Sequence, residues 1–206
     1  MSRASPSFKL VLLGDGRVGK TSMTLRFVNN VFSDKQTATI QASYLTKRVN
    51  VDNQMVTLAV WDTAGQERFH ALGPIYYRDA DAALLVYDIM DTDSFNRVKS
   101  WVKELRKMAT KNIVMAIAGN KSDMDRLRKV DLKDSESYAE SIGARHFLTS
   151  AKLNTGIEET FLDIARRLLE KRKTENIESA SAVPPRKHLV IIDDPAKPPP
   201  ASRCCS

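Results

Sequence analysis

An α/β domain, with a mostly parallel six-stranded sheet and helices on both faces, is the fold this sequence predicts. Three observations predict it. Short apolar runs alternate with longer stretches of helical period, the order that builds parallel sheets. Several of those runs, such as 80–89 and 112–120, are apolar almost throughout, as strands covered on both faces are. And the run ending at Leu13 leads directly into a Gly-rich turn and then a helix-like segment, a strand–loop–helix unit. The 206 residues, 42% of them hydrophobic, suffice for one such domain with a full core plus an extension.

The elements follow in order. FKLVLLG (8–14) reads as a buried strand and Gly19–Asn29 as a helix. Residues 31–43 are polar and irregular, a long loop. SYLTKRVNV (43–51) and MVTLAVWD (55–62) read as two strands joined through Asp52-Asn53-Gln54, a short hairpin-like turn. Residues 63–74 carry two glycines and a proline and show no clean period. ADAALLVYDI (80–89) is a further strand. In 91–109, Phe95, Val98, Trp101, Val102, Leu105 and Met108 fall at helical spacing, a core-facing stripe. NIVMAIAGN (112–120) is a strand, 131–142 a weaker helix, ARHFLTSA (144–151) a short strand. In 156–173, Ile157, Phe161, Ile164, Ala165 and Leu168 mark an amphipathic helix. Composition shifts after Lys173: six prolines, Pro184, Pro185, Pro195, Pro198, Pro199 and Pro200, follow it. The chain therefore divides into a flexible N-terminus (1–7), a folded domain (8–173) and a disordered C-terminal tail (174–206).

Composition removes several function classes. The formal charge is +7, yet no basic stripe with interleaved aromatics supports nucleic-acid binding. No run of 18 apolar residues suggests a membrane span, and MSRASPSFKL lacks the apolar stretch of a secretory signal. The expectation is a soluble or peripherally attached intracellular protein, monomeric by default. The only cysteines, Cys204 and Cys205, are adjacent near the end. They predict neither a disulfide framework nor a zinc site, and instead resemble attachment points.

Ligands of such sheets bind beyond the carboxyl ends of the strands, and the informative motifs lie there. Gly14, four residues, then Gly19-Lys20-Thr21 completes G-x-x-x-x-G-K-T between strand and helix. The loop Gly16-Arg17-Val18-Gly19 turns so that successive N–H groups converge on phosphate oxygens, and the helix that follows favours the anion. Lys20 supplies charge to the β- and γ-phosphates, and the Thr21 hydroxyl is placed to ligate Mg²⁺. Asn120-Lys121-Ser122-Asp123 ends another strand as N-K-x-D. A carboxylate there accepts hydrogen bonds from N1–H and the exocyclic amine of guanine, an edge adenine lacks, while Lys121 can lay its stem along the base. Ser150-Ala151-Lys152 offers backbone N–H groups and a lysine one strand along. In WDTAGQERF (61–69), Asp62 can hold Mg²⁺ through water, Gly65 lets an N–H reach the γ-phosphate, and Gln66 can orient an attacking water.

GDGRVGKT, WDTAGQERF, GNKSD and TSAK, in this order over residues 8–173, resemble a Ras-superfamily small GTPase of the Rab family, a single P-loop GTPase domain. The terminal CCS matches the double-cysteine ending of Rabs. IQASYLTK (40–47), YAESIGARHF (138–147) and VIIDD (190–194) resemble its early-endosomal branch numbered twenty-one.

The resemblance implies further roles. Thr39 would be the switch I threonine that completes the Mg²⁺ shell and senses the γ-phosphate; Phe32 would stack on guanine; Ser22 would touch the α-phosphate. Tyr44, Trp61 and Tyr76 would form the aromatic triad presented to effectors, with Tyr44 where the family usually has Phe. Gln41 replaces a glycine most Rabs carry, a change that bears on switch I flexibility and effector choice. No arginine finger is supplied in cis, Arg17 and Arg68 included, so hydrolysis of GTP to GDP and phosphate is expected to be slow without an activating protein. The further partners implied are an exchange factor, effectors, a GDP-dissociation inhibitor and a prenylation escort, on which Leu189–Ile192 would dock. Cys204 and Cys205 would each carry a geranylgeranyl group, anchoring the protein on the cytoplasmic face of membranes, at the early endosome, while it cycles with the cytosol. From residue 174 on, four basic residues (Arg186, Lys187, Lys197, Arg203) face four acidic ones (Glu175, Glu178, Asp193, Asp194), so the second lipid, not a polybasic tail, completes the anchor. Three rivals remain: a P-loop kinase or ATPase, which predicts an arginine-bearing lid and no N-K-x-D; a non-hydrolysing scaffold, against which Gln66 argues; and a nucleic-acid binder, for which no phosphate-contact stripe exists.

Overall fold

In the computed structural model of the chain, the described residues are 5–65, 76, 78–108 and 112–181. They form strands β1 Ser7–Leu13, β2 Ser43–Val51, β3 Gln54–Asp62, β4 Ala82–Asp88, β5 Val114–Asn120 and β6 Arg145–Thr149. The helices are α1 Lys20–Asn29, α2 Thr92–Met108, α3 Leu132–Ser141 and α4 Ile157–Ser181. The strands lie in the order β2-β3-β1-β4-β5-β6. Every neighbouring pair is parallel except the β2–β3 hairpin. This is the six-stranded α/β sheet expected from the alternation of apolar runs.

The sheet is covered on both faces because its strands bury both alternating sets of side chains. On one face Leu10, Leu12, Leu58, Val60, Leu84 and Val86 pack with Met23 and Phe27 of α1 and Phe161, Ile164 and Leu168 of α4. There Phe27 and Phe161 stack with ring centroids 3.9 Å apart. On the other face Val11, Leu13, Leu85, Tyr87 and Ile117 pack with Phe95, Val98, Trp101, Val102 and Leu105 of α2. The stripe read from the sequence as core is therefore core. Each fully buried side chain of this size stabilises the fold by roughly 1.5–3 kcal/mol.

Five boundaries stand out against the sequence reading. The β2–β3 turn is the pair Asp52-Asn53, both at positive φ (51° and 62°), because Gln54 already pairs with Val51. Two-residue turns of this handedness match the twist of the flanking strands. The strands predicted over 80–89, 112–120 and 144–151 shorten to the residues that find ladder partners, 82–88, 114–120 and 145–149. The last helix does not stop at Lys173 but runs to Ser181. Its continuation carries an i,i+4 ion pair, Lys171–Glu175 at 3.8 Å, and Thr174 donates its hydroxyl to the Lys171 carbonyl. The first residue that cannot continue a helix is Pro184. Gln66, Arg68, Leu189–Ile192, Cys204 and Cys205 lie outside the described residues.

The register brings one end of the sheet together. Leu12 pairs with Asp62 on one side, and Asp88, Asn120 and Thr149 stand in a row across β4, β5 and β6. The loops that leave these carboxyl ends enclose the site.

Candidate functional site

At the first of these ends, the turn after β1 uses backbone that side chains resist. Gly14 sits at φ 148°, where a Cβ would lie 2.2 Å from the Val86 carbonyl oxygen; Gly19 sits at φ 98°, where it would lie 2.4 Å from the Asn120 amide nitrogen. This is the physical need for glycine at both ends of the loop. The loop closes on Lys20, whose Nζ donates to the carbonyls of Gly14 (2.8 Å) and Asp15 (2.9 Å). Lys20 is 5% exposed, and that burial lowers its pKa to about 8, against the opposing pull of Asp62 and Asp15.

Beside Lys20, Thr21 lies in the first turn of α1. Its hydroxyl donates to Asp62 Oδ2 at 2.6 Å and lies 2.7 Å from the Thr39 hydroxyl. Asp62 is fully buried, and its Oδ1 has no hydrogen-bond partner among the described residues. Burial pushes its carboxyl up, while the Thr21 bond and the Lys20 charge hold it back. An orphaned buried carboxylate oxygen beside two hydroxyls is a hard-oxygen donor set, the kind that Mg²⁺ takes. The residues present fit such a cation.

Gly65 approaches this end at the closest range. A Cβ there would lie 2.2 Å from Lys20 Nζ and 2.3 Å from the Asp15 carbonyl oxygen, so only glycine lets the chain pass. Thr63 holds the approach by donating to the Leu12 carbonyl at 2.6 Å.

The other end is built around Asn120, 2% exposed. Its amide nitrogen donates to the Val18 carbonyl at 2.8 Å, and its oxygen accepts from Thr149 Oγ1 (3.3 Å) and the Ala151 N–H (3.4 Å). One side chain thus joins the phosphate loop, β5 and the loop after β6. Lys121, at φ 66°, reaches back to Asp88 at 2.6 Å. Ser150 donates to Asp123 Oδ1 at 2.5 Å, fixing that carboxylate.

Between the two ends lies one cavity of about 990 Å³. Gly16, Arg17, Gly19, Lys20, Thr21 and Ser22 line its Lys20 side, together with Thr39 and Gly65. Phe32, Asn120, Lys121, Asp123, Ala151 and Lys152 line the remainder. Three predicted residues stand behind the wall: Val18 is in the core and offers only its carbonyl, Ser150 is fully buried holding Asp123, and Asp62 is buried behind Thr21. Sequence reasoning missed one contact to the phosphate loop: Arg97 of α2 pairs with Asp15 at 2.7 Å. No local pattern announces that pair, since only the crossover from β4 brings α2 to the loop.

The three aromatic residues meet on the other side of the β2–β3 hairpin. Tyr44 and Trp61 are cross-strand partners with rings 5.2 Å apart, and Trp61 and Tyr76 are 6.3 Å apart. Tyr44 is 54% and Ile40 69% exposed, so this row stands open to a partner next to the loop that carries Thr39.

Comparison with known proteins agrees with this geometry. The Ras family model matches residues 9–170. The chain is 53% identical over 204 residues to mouse Ras-related protein Rab-21, covering 97% of this chain and 92% of that protein. It is 54% identical over 205 residues to human Ras-related protein Rab-21, covering 97% and 91%. To Dictyostelium discoideum Ras-related protein Rab-21 it is 53% identical over 169 residues, covering 82% and 80%.

Proposed function

The chain belongs to the Ras family, in its Rab branch, as a GTPase that switches between GTP and GDP forms in membrane trafficking, and from that premise we propose how its residues divide the work. The observation that carries the proposal is the single cavity with Lys20, Thr21 and Thr39 at one end and Asn120, Lys121 and Asp123 at the other.

Phosphates occupy the Lys20 end. The loop N–H groups of residues 16–19 and the first turn of α1 surround them, and the buried Lys20 charge meets the β- and γ-oxygens. Thr21, Thr39 and Asp62 would hold Mg²⁺, which would supply neutralisation of the charge that develops during phosphoryl transfer. Gln66 orients the attacking water. The chemistry is positioning and charge stabilisation; with no finger in cis, an activating protein adds roughly 10³–10⁵-fold.

Guanine occupies the other end. The Asp123 carboxylate, held by Ser150, accepts from N1–H and the exocyclic amine; Phe32 and the Lys121 stem flank the base. Asn120 acts by stitching loops together more than by touching the base. The γ-phosphate draws in Thr39 and Gly65, and its loss frees residues 31–44 and 63–78. Tyr44, Trp61 and Tyr76 report that change to effectors. Prenylation of Cys204 and Cys205, delivered by an escort and reversed from the membrane by a GDP-dissociation inhibitor, places the switch on the cytoplasmic face of the early endosome. The likeness to Rab-21 supports an endomembrane address; the early endosome is the finer reading proposed here.

Denaturing the purified protein and chromatographing the released nucleotide tests the core of this reading. Stoichiometric GDP or GTP is the expected result. ADP or ATP would overturn the assignment of Asp123 and return the site to an ATPase.

A further inference from the structure

We propose that Arg26 is a positioning residue that clasps the base end of the cavity and sets how long a nucleotide stays bound, without taking part in hydrolysis. The inference rests on reading that end as the guanine site. Arg26 lies in the last turn of α1 and does not line the cavity. It stands behind the wall and ties its parts together. Its Nε donates to the Ala151 carbonyl at 2.9 Å and its Nη2 to the Lys152 carbonyl at 3.3 Å. Its Nη1 donates to the Asn30 carbonyl at 3.0 Å and to Asn30 Oδ1 at 3.2 Å. The guanidinium also sits 5.8 Å from the centroid of the Phe32 ring.

Two walls of the base end are thus joined through one side chain. One is the loop after β6, with Ala151 and Lys152. The other is the exit from α1, where Asn30 takes a left-handed conformation (φ 55°) and the chain turns toward Phe32. These segments meet again at the surface, where Lys152 and Asp34 lie 3.7 Å apart. That outer pair is exposed on both sides and contributes little alone. The half-buried Arg26 fork, with charge-assisted bonds to three carbonyls, carries the connection. A base leaving the cavity must part these walls, and parting them breaks the Arg26 bonds. Lys20, Thr21 and Thr39 are held by separate bonds, so the phosphate end does not depend on this fork.

Arginine suits the task where lysine does not. Its planar fork reaches carbonyls on two segments at once, whereas an ammonium is a point charge.

The experiment uses the full chain loaded with fluorescent N-methylanthraniloyl-GDP and chased with excess GDP, beside single-turnover GTP hydrolysis on the same preparations. For Arg26→Ala, release is expected to quicken about 10–100-fold, the loss of one or more charge-assisted hydrogen bonds, with the hydrolysis rate within about twofold of wild type. Arg26→Lys is expected to fall between, a partial rescue by charge without the fork. A residue that merely supports the fold would slow hydrolysis and lower thermal stability alongside faster release, and would not show that split. Release at the wild-type rate in Arg26→Ala, or in Arg26→Lys should the alanine variant not fold, overturns the clasp and leaves the guanine site standing. A wild-type protein that binds no guanine nucleotide overturns the guanine site and the clasp with it.

Discussion

The two ends of the cavity are built on opposite principles. At the base end the protein satisfies itself. Asn120 spends its donors and acceptors on Val18, Thr149 and Ala151, and Asp123 is already fixed by Ser150. At the phosphate end it leaves work undone. Among the described residues Asp62 keeps a buried oxygen without a partner, and the only part of the loop over 31–42 that reaches it is Thr39, through one hydroxyl contact to Thr21. A pre-organised end gives affinity that does not depend on the state of the nucleotide. An under-satisfied end responds to whatever completes it. A switch needs both: an anchor that holds either nucleotide, and a sensor that only one nucleotide completes.

That contrast breaks if substitutions at the two ends have the same signature. The largest effect is expected from Asn120→Ala. It strands the buried Val18 carbonyl and removes two more contacts, at about 1–3 kcal/mol for each buried group left unpaired. GDP and GTP release should both quicken, by about 10²–10³-fold, in a nucleotide-release assay. Removal of divalent metal with a chelator comes next. Exposing Asp62 Oδ1 without its cation should speed release of both nucleotides by about tenfold or more, and the effect should shrink in Asp62→Asn, which weakens the cation site before the chelator is added.

Gln66→Leu should lower single-turnover hydrolysis about tenfold or more while GDP release stays put, with and without an activating protein. Hydrolysis at the wild-type rate would remove Gln66 from the mechanism. Thr39→Ala should weaken GTP about tenfold, the worth of one metal-linked hydrogen bond, and leave GDP nearly untouched. A loss shared equally between the two nucleotides would make Thr39 part of the anchor.

The smallest effect probes the strand beneath the base end. His146 of β6 lies 2.9 Å from the Tyr87 hydroxyl, and burial, with the Arg128 charge, lowers its pKa from 6.5 to about 4. The unfolded state therefore takes up a proton near pH 6.5 that the folded state refuses until about pH 4. Stability is present above pH 6.5 and declines as pH falls toward 4, by at most about 3 kcal/mol. Denaturant melts across that window should show the decline, and His146→Gln should flatten it.

How much of this the sequence disclosed follows the same division. Strands, helices and the Gly-rich, N-K-x-D and D-T-A-G segments are legible because each is a local pattern: a period, a turn residue, a fixed spacing. What escaped is pairing across distance. The N-K-x-D pattern marks Asn120 as part of the site but not its bonds to Val18 and Ala151, which arise because the strand order sets β5 between the loop after β1 and β6. Arg97 with Asp15 and Arg26 with Ala151 are likewise products of topology. The end of α4 was misplaced for another reason. A shift in composition marks where prolines cluster, whereas a helix stops where its hydrogen bonding fails, and nothing between Lys173 and Ser181 forces that.

The continuation of α4 alters the mechanics of attachment. The eight residues from 174 to 181, as coil, would be a leash of about 16 Å root-mean-square reach in any direction. As helix they are a lever of about 12 Å with one direction, fixed to the core through Phe161, Ile164 and Leu168. A load that reaches Ser181 therefore arrives at the domain as a torque on α4 rather than as slack over 174–181. Tilting that lever strains the stack of Phe27 on Phe161, and α1, which carries Thr21 at its start and Arg26 near its end, lies directly under it.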